Sequence, residues 1–251
     1  MSENSILPAI LLFFPTLVSL CQAQQADIPW KIHDTARPQP AKITPLPIPS
    51  DAIILFSGED LSSWQKTEKD ESLNWQIIDG NMINPEGKGD IETKQGFGSC
   101  QLHIEWSTPE FNPASHPYDR GNSGIYFMQT YELQIFDSYP EANIYADGMA
   151  GAIYGQYPPL VNASLPPLAW QTFDIVFLRP EFDDQGKLES PAVLTVFHNG
   201  VLIHHNQALT GPTAHQARPP YHVHADKLPL VLQAHGNPVR FRNIWIRELA
   251  R

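Results

Sequence analysis

The chain is short of cysteine and of cationic side chains, and no stretch of it keeps an apolar repeat of helical period. Only Cys21 and Cys100 occur in 251 residues. An exported form cleaved after Ala23 would keep one thiol, so it would have no internal disulfide and would stand on its core alone. Cys100 lacks the cationic surroundings that activate a thiol and reads as a buried structural residue. Lys and Arg number 16 against 27 Asp and Glu, a formal charge of −11. That balance argues against nucleic acid and against anionic membranes as partners, whereas neutral sugars are indifferent to it. The missing helical period, together with 15 Gly, 24 Pro and 10% aromatic residues, points to an all-β chain.

Residues Ile6 to Leu20 form a nearly uninterrupted apolar run that leads into Cys21-Gln22-Ala23. Small residues at the −3 and −1 positions fit a signal peptide over residues 1–23. Pro8 and Pro15 interrupt the run, and about fifteen residues fall short of the roughly twenty that span a bilayer. The mature chain is therefore expected to be exported, periplasmic or extracellular, without an integral membrane segment. Residues 24–50 are rich in Pro, with Pro45, Pro47 and Pro49 at alternate positions, a pattern that favours a polyproline II arm over a ladder-bonded strand. The globular unit spans 51–251 as one domain without internal repeats.

Within it, short alternating runs separated by turn signals describe a β-sandwich. Gln101 to Trp106 puts Leu102, Ile104 and Trp106 on one face and His103 and Glu105 on the other. Leu194 to His198 and Val201 to His205 flank Asn199-Gly200, a hairpin signal because both central residues of a type I′ turn need positive φ. In Tyr131 to Asp137, Leu133 and Ile135 face the core while Glu132 and Gln134 share the opposite side, with Cα atoms about 7 Å apart. A carboxylate beside an amide can accept a proton and orient a hydroxyl, the two tasks of sugar chemistry. A solvated strand face has the same alternation, but this one lacks Lys and is flanked by Tyr126, Tyr131 and Phe136. Asp137 has core parity if the strand runs that far, and Ser138-Tyr139-Pro140 suggests that it does not.

Upstream, Arg120-Gly121-Asn122-Ser123-Gly124 makes a tight turn, where Arg120 and Asn122 either cap the turn or enter the site. Downstream, Leu228 to Ala234 alternates so that Gln233 and His235 share a face, and His235-Gly236 closes the strand. A free imidazole titrates near a pKa of about 6.5, suited to acid or base work. From Val239 to Arg247 the apolar parity changes around Asn243, as a β-bulge would cause, and Arg242 is a candidate either for anion stabilisation or for a structural pair with one of the acids. Trp64, Trp75, Trp106 and Trp170 read as core.

The segments Arg120-Gly-Asn-Ser-Gly-Ile-Tyr-Phe, Tyr131-Glu-Leu-Gln-Ile-Phe-Asp-Ser, Gly151-Ala-Ile-Tyr-Gly, Leu232-Gln-Ala-His-Gly and Phe241-Arg-Asn-Ile-Trp-Ile-Arg occur in that order. In these the chain resembles the 3-keto-disaccharide hydrolase family over about Ile53 to Leu249. The resemblance implies a concanavalin A-like lectin/glucanase jelly-roll, bacterial export and action on 3-oxidised glycosides. It casts Glu132 as base, His235 as proton donor, roles that are exchangeable, and Arg242 with Gln134 as enolate stabilisers. Glu105, Arg120, Asn122, Asp137 and Gln233 are expected to bind substrate. No cofactor is firmly implied. A divalent cation would polarise the ketone, and His222-Val223-His224 offers two imidazoles, but no spacing specifies a third ligand. Two other readings use the same residues: a conventional jelly-roll glycoside hydrolase, for which Glu132 lacks an assured second carboxylate, and a lectin-like binding module, which needs no base.

Overall fold

The computed structural model describes residues 42, 44 and 48–250, apart from 69–71, 86, 88, 115 and 140–144. The segment read as a signal peptide lies outside the described residues, as does most of the Pro-rich arm. No helix among the described residues is long and apolar enough to cross a membrane.

Among the described residues fifteen strands follow one another from Ile53 onward. They are β1 (Ile53–Phe56), β2 (Trp64–Lys66), β3 (Gln76–Ile78), β4 (Asn81–Ile83), β5 (Ile91–Phe97), β6 (Cys100–Ser107), β7 (Ser123–Phe127) and β8 (Tyr131–Ile135). After a 3-10 turn (Ala146–Gly148) come β9 (Gln171–Leu178), β10 (Glu181–Phe182), β11 (Leu188–Ser190), β12 (Val193–His198), β13 (Val201–Ala208), β14 (Leu228–Leu232) and β15 (Arg240–Glu248). The larger sheet runs β13-β12-β9-β6-β15-β4-β3, with β1 also paired to β15, and the smaller runs β2-β5-β14-β7-β8. The pairings within both are antiparallel. This is the expected jelly-roll sandwich.

Alternation creates the core between the sheets. Leu102, Ile104 and Trp106 of β6, Phe173, Ile175 and Phe177 of β9 and Tyr131, Leu133 and Ile135 of β8 are all fully buried. Phe127 of β7 stacks on Phe177 with ring centroids 4.7 Å apart and joins the two layers. Such aromatic pairs add roughly 0.5–1.5 kcal/mol beyond their burial. Cys100 is buried and unpaired, and burial pushes its thiol pKa far up.

The Asn199-Gly200 turn has φ of +51° and +77° at its two central residues, as a type I′ hairpin requires. The register between β15 and β6 shifts between Arg242 and Trp245, around Asn243 at φ +47°, which is the bulge the parity change implied. Trp64, Trp75 and Trp106 are core residues. Trp170 is not: it is half-buried, and the guanidinium of Arg242 lies 4.0 Å from its ring centroid. It stands just before β9, so the strand parity that placed it inside does not apply.

Candidate active site

The polar face of β8 carries two of the candidate residues, Glu132 and Gln134. Glu132 and Gln134 are only 3% exposed, which excludes a solvated strand face. Two loop segments cover them. Along the edge of β8, Gln134 N donates to Ala152 O at 2.9 Å and Gly151 N to Gln134 O at 2.8 Å. On the other side Glu132 N donates to Thr213 Oγ1 at 3.0 Å. The neighbouring strand makes room for the carboxylate: a Cβ on Gly124 would fall 2.4 Å from Glu132 Oε1, so any larger residue there would displace it.

The amide of Gln134 takes the orientation in which its nitrogen donates to Glu132 Oε1 at 3.0 Å and to Ser123 O at 3.2 Å, while its oxygen meets the Asn122 amide at 3.1 Å. Tyr126 donates its hydroxyl to the Glu132 carboxylate and accepts from Gln233 Nε2 at 3.3 Å. Burial nonetheless pushes the Glu132 carboxyl up to about 7; the Tyr126 hydrogen bond opposes the rise and the negative charge of Asp90 adds to it. Asp90 is fixed by Ala234 N, which donates to its Oδ1 at 2.8 Å. Its own carboxyl is held above the usual range, chiefly by burial.

These groups line a cavity of about 320 Å³, at the small end of the roughly 300–1,000 Å³ of ligand pockets. Asn122, Tyr126, Glu132, Gln134, Gln233 and His235 reach it from the sheet and its turns, and Tyr145, Tyr154, Thr213 and His215 from the covering loops. Tyr154 links its hydroxyl to Tyr145 at 3.1 Å and to His215 Nδ1 at 3.2 Å. A second cavity of about 610 Å³ shares Tyr145, Tyr154 and His215 and adds Asp147 and Arg218.

Five of the nine residues expected at the site therefore meet in one place: Glu132, Gln134, Asn122, Gln233 and His235. The other four do not line it. Arg242 and Glu105 sit opposite each other on β15 and β6 of the other sheet, on its outer face, since their strand neighbours Phe241, Ile104 and Trp106 fill the core. There Arg242 Nε donates to Glu105 Oε2 at 2.6 Å and Asn243 Nδ2 to Glu105 Oε1 at 2.8 Å. Burial works upward on Glu105, but these hydrogen bonds outweigh it and hold the carboxyl low. Arg120 and Asp137 instead form an ion pair of 2.6 Å. With Asp137 N donating to Arg120 O at 2.7 Å, the pair ties the entry of β7 to the exit of β8. Gly121, at φ +63°, gives its N–H to Asn237 Oδ1 at 2.8 Å, and Asn237 in turn donates to His235 O at 2.9 Å. One side chain thus clasps the Asn122 turn to the His235 turn.

Of the aromatics flanking Glu132 in sequence, Tyr131 and Phe136 are core and only Tyr126 reaches the cavity. Asp90, Tyr145, Tyr154, Thr213 and His215 were not foreseen. Tyr154 lies in the Gly151-Ala-Ile-Tyr-Gly motif, the one signal that pointed toward it. His222 and His224 have ring centroids 6.2 Å apart, and His224 Nε2 is engaged by Tyr131 Oη at 2.8 Å. Among the described residues no group of three or more His, Cys, Asp and Glu side chains is placed to hold a metal.

Residues 51–247 match the model of the 3-keto-alpha-glucoside-1,2-lyase-like domain. The chain belongs to this family. A protein of Parabacteroides distasonis ATCC 8503, provisionally designated a glycosyl hydrolase, is 38% identical, with 87% of this chain and 97% of that one covered at a TM-score of 0.79. A second structure from that organism with the same designation, at 19% identity and a TM-score of 0.60, covers 80% of this chain and 94% of its own and shares the fold. No curated protein matches the sequence. As a member of the 3-keto-alpha-glucoside-1,2-lyase-like family the chain is glycosyl hydrolase-like.

Proposed function

We propose that the protein cleaves 3-keto-glycosides by elimination followed by hydration. A ketone at C3 acidifies the C2 proton. Glu132 takes that proton, and the resulting enolate re-forms the C3 carbonyl as the C1–C2 double bond forms and the C1–O bond breaks. The leaving oxygen receives a proton from His235. Water then adds at C1 and a proton returns to C2, so the net change is hydrolysis. The amide N–H groups of Asn122 and Gln233 are the donors available to a developing enolate, a part that Arg242, on the other sheet, is not placed to play.

The observation that carries this reading is the Glu132 carboxyl, buried beside an open polar cavity and raised to about 7, because a base works best when its pKa lies near the working pH. A conventional retaining glycosidase needs a second carboxyl about 5–5.5 Å away, and Glu132 is the only carboxylate lining this cavity among the described residues. A lectin would have no use for a base held in this state. The test is incubation with a 3-keto-glucoside and with its unoxidised parent, following aglycone release. Cleavage of the keto form alone is expected. Cleavage of the parent alone would return the protein to conventional glycoside hydrolysis, and binding without cleavage of either would make it a lectin.

A further inference from the structure

The two cavities meet at a wall made of Tyr145, Tyr154 and His215. If the smaller one holds the ring that Glu132 deprotonates, the bond to be broken lies at that wall and the leaving group occupies the larger. The larger cavity has nearly twice the volume, about 610 against 320 Å³, which is more than a second ring like the first requires. Its polar groups suit hydroxyl-bearing rings. The Asp147 carboxylate makes no hydrogen bond or ion pair among the described residues, and Arg218 holds its own place by donating Nε to Gly155 O at 2.9 Å.

Aromatic rings continue outward from the wall. Tyr145 is 46% and Tyr118 42% exposed, with ring centroids 5.8 Å apart, and Tyr118 in turn lies 5.2 Å from His116. These exposed rings offer flat faces to the C–H side of pyranose rings.

We infer that the natural leaving group is a chain of two or more sugars, held in the larger cavity and along Tyr145 and Tyr118, so that the substrate is an oligosaccharide oxidised at its terminal ring. This rests on the elimination reading above. The experiment compares kcat/KM for a 3-keto-disaccharide and the corresponding 3-keto-trisaccharide, in the wild-type protein and in Tyr118→Ala and Asp147→Ala. The wild type is expected to favour the trisaccharide by about fivefold, the size of one stacking contact, and each variant to lower that preference. Tyr118 is exposed, so its variant keeps the test open should Asp147→Ala fail to fold. Equal use of both substrates by the wild type, or a preference that neither variant moves, overturns the inference and leaves the elimination reading standing. Failure to cleave either substrate overturns both.

Discussion

At the scale of the residue, Glu132 is a carboxyl largely withdrawn from water, and that has a consequence for stability as well as for chemistry. Its pKa is raised from 4.5 to about 7. Between these two values the folded chain holds a proton that the unfolded chain has released, so stability falls as pH rises from about 4.5 to about 7 and is level beyond. The loss across that window is on the order of 3 kcal/mol. Glu132→Gln keeps the shape and removes the charge. Chemical denaturation is expected to show the variant more stable than the wild type at pH 8, with the difference shrinking toward zero below pH 4.5. A wild type whose stability is flat across this window would mean that the carboxyl is hydrated and not held as described. The same substitution is expected to lower turnover by about two to four orders of magnitude, the usual contribution of a general base.

At the scale of the element, the site depends on how β7 and β8 sit against each other. Gly124 lies in β7 and its missing side chain is the floor for the Glu132 carboxylate. In Gly124→Ala the new methyl group meets the flexible end of a side chain and no backbone, so the strand pairing survives and the carboxylate moves. The expected outcome is a Tm close to wild type with kcat reduced by about a hundredfold, as misplacement of a catalytic group by an ångström can cause. A variant that is unfolded, or as active as the wild type, would contradict that placement.

The strands also show where sequence reading succeeds. The alternation from Tyr131 to Ile135 put Glu132 and Gln134 on the non-core side, the Asn-Gly hairpin followed from local backbone preference, and the bulge at Asn243 followed from the change of apolar parity. Alternation assigns a side chain to one face of its own strand, however, and does not say which sheet that strand joins. This is why Glu105, correctly read as turned away from the core, lies with Arg242 on the other sheet. It is also why the burial of Glu132 was not legible: the groups that cover it, around Gly151 and Thr213, come from distant loops with no periodic pattern of their own.

At the scale of the whole molecule, the sandwich has two outer faces that are built differently. On the larger sheet, Arg242, Glu105 and Asn243 satisfy one another, and the Glu105 carboxyl is held low by that company. On the smaller sheet the loops close over Glu132 and leave polar groups turned toward an open cavity. The first arrangement stabilises and the second is prepared for a ligand. A chain of net charge −11 with such a pocket is suited to an uncharged sugar, and in the proposed reaction a ketone would let a single buried carboxylate begin by taking a proton from carbon.

The measurement that tests this most directly is cleavage of a 3-keto-glucoside in D2O with the C2 position followed by NMR. Elimination and hydration predict deuterium at C2 of the released keto sugar, incorporated by the wild type and lost with Glu132→Gln. Cleavage that leaves the original hydrogen at C2 would contradict the account, since the C1–O bond would then have broken without the carbon acid that Glu132 is placed to deprotonate.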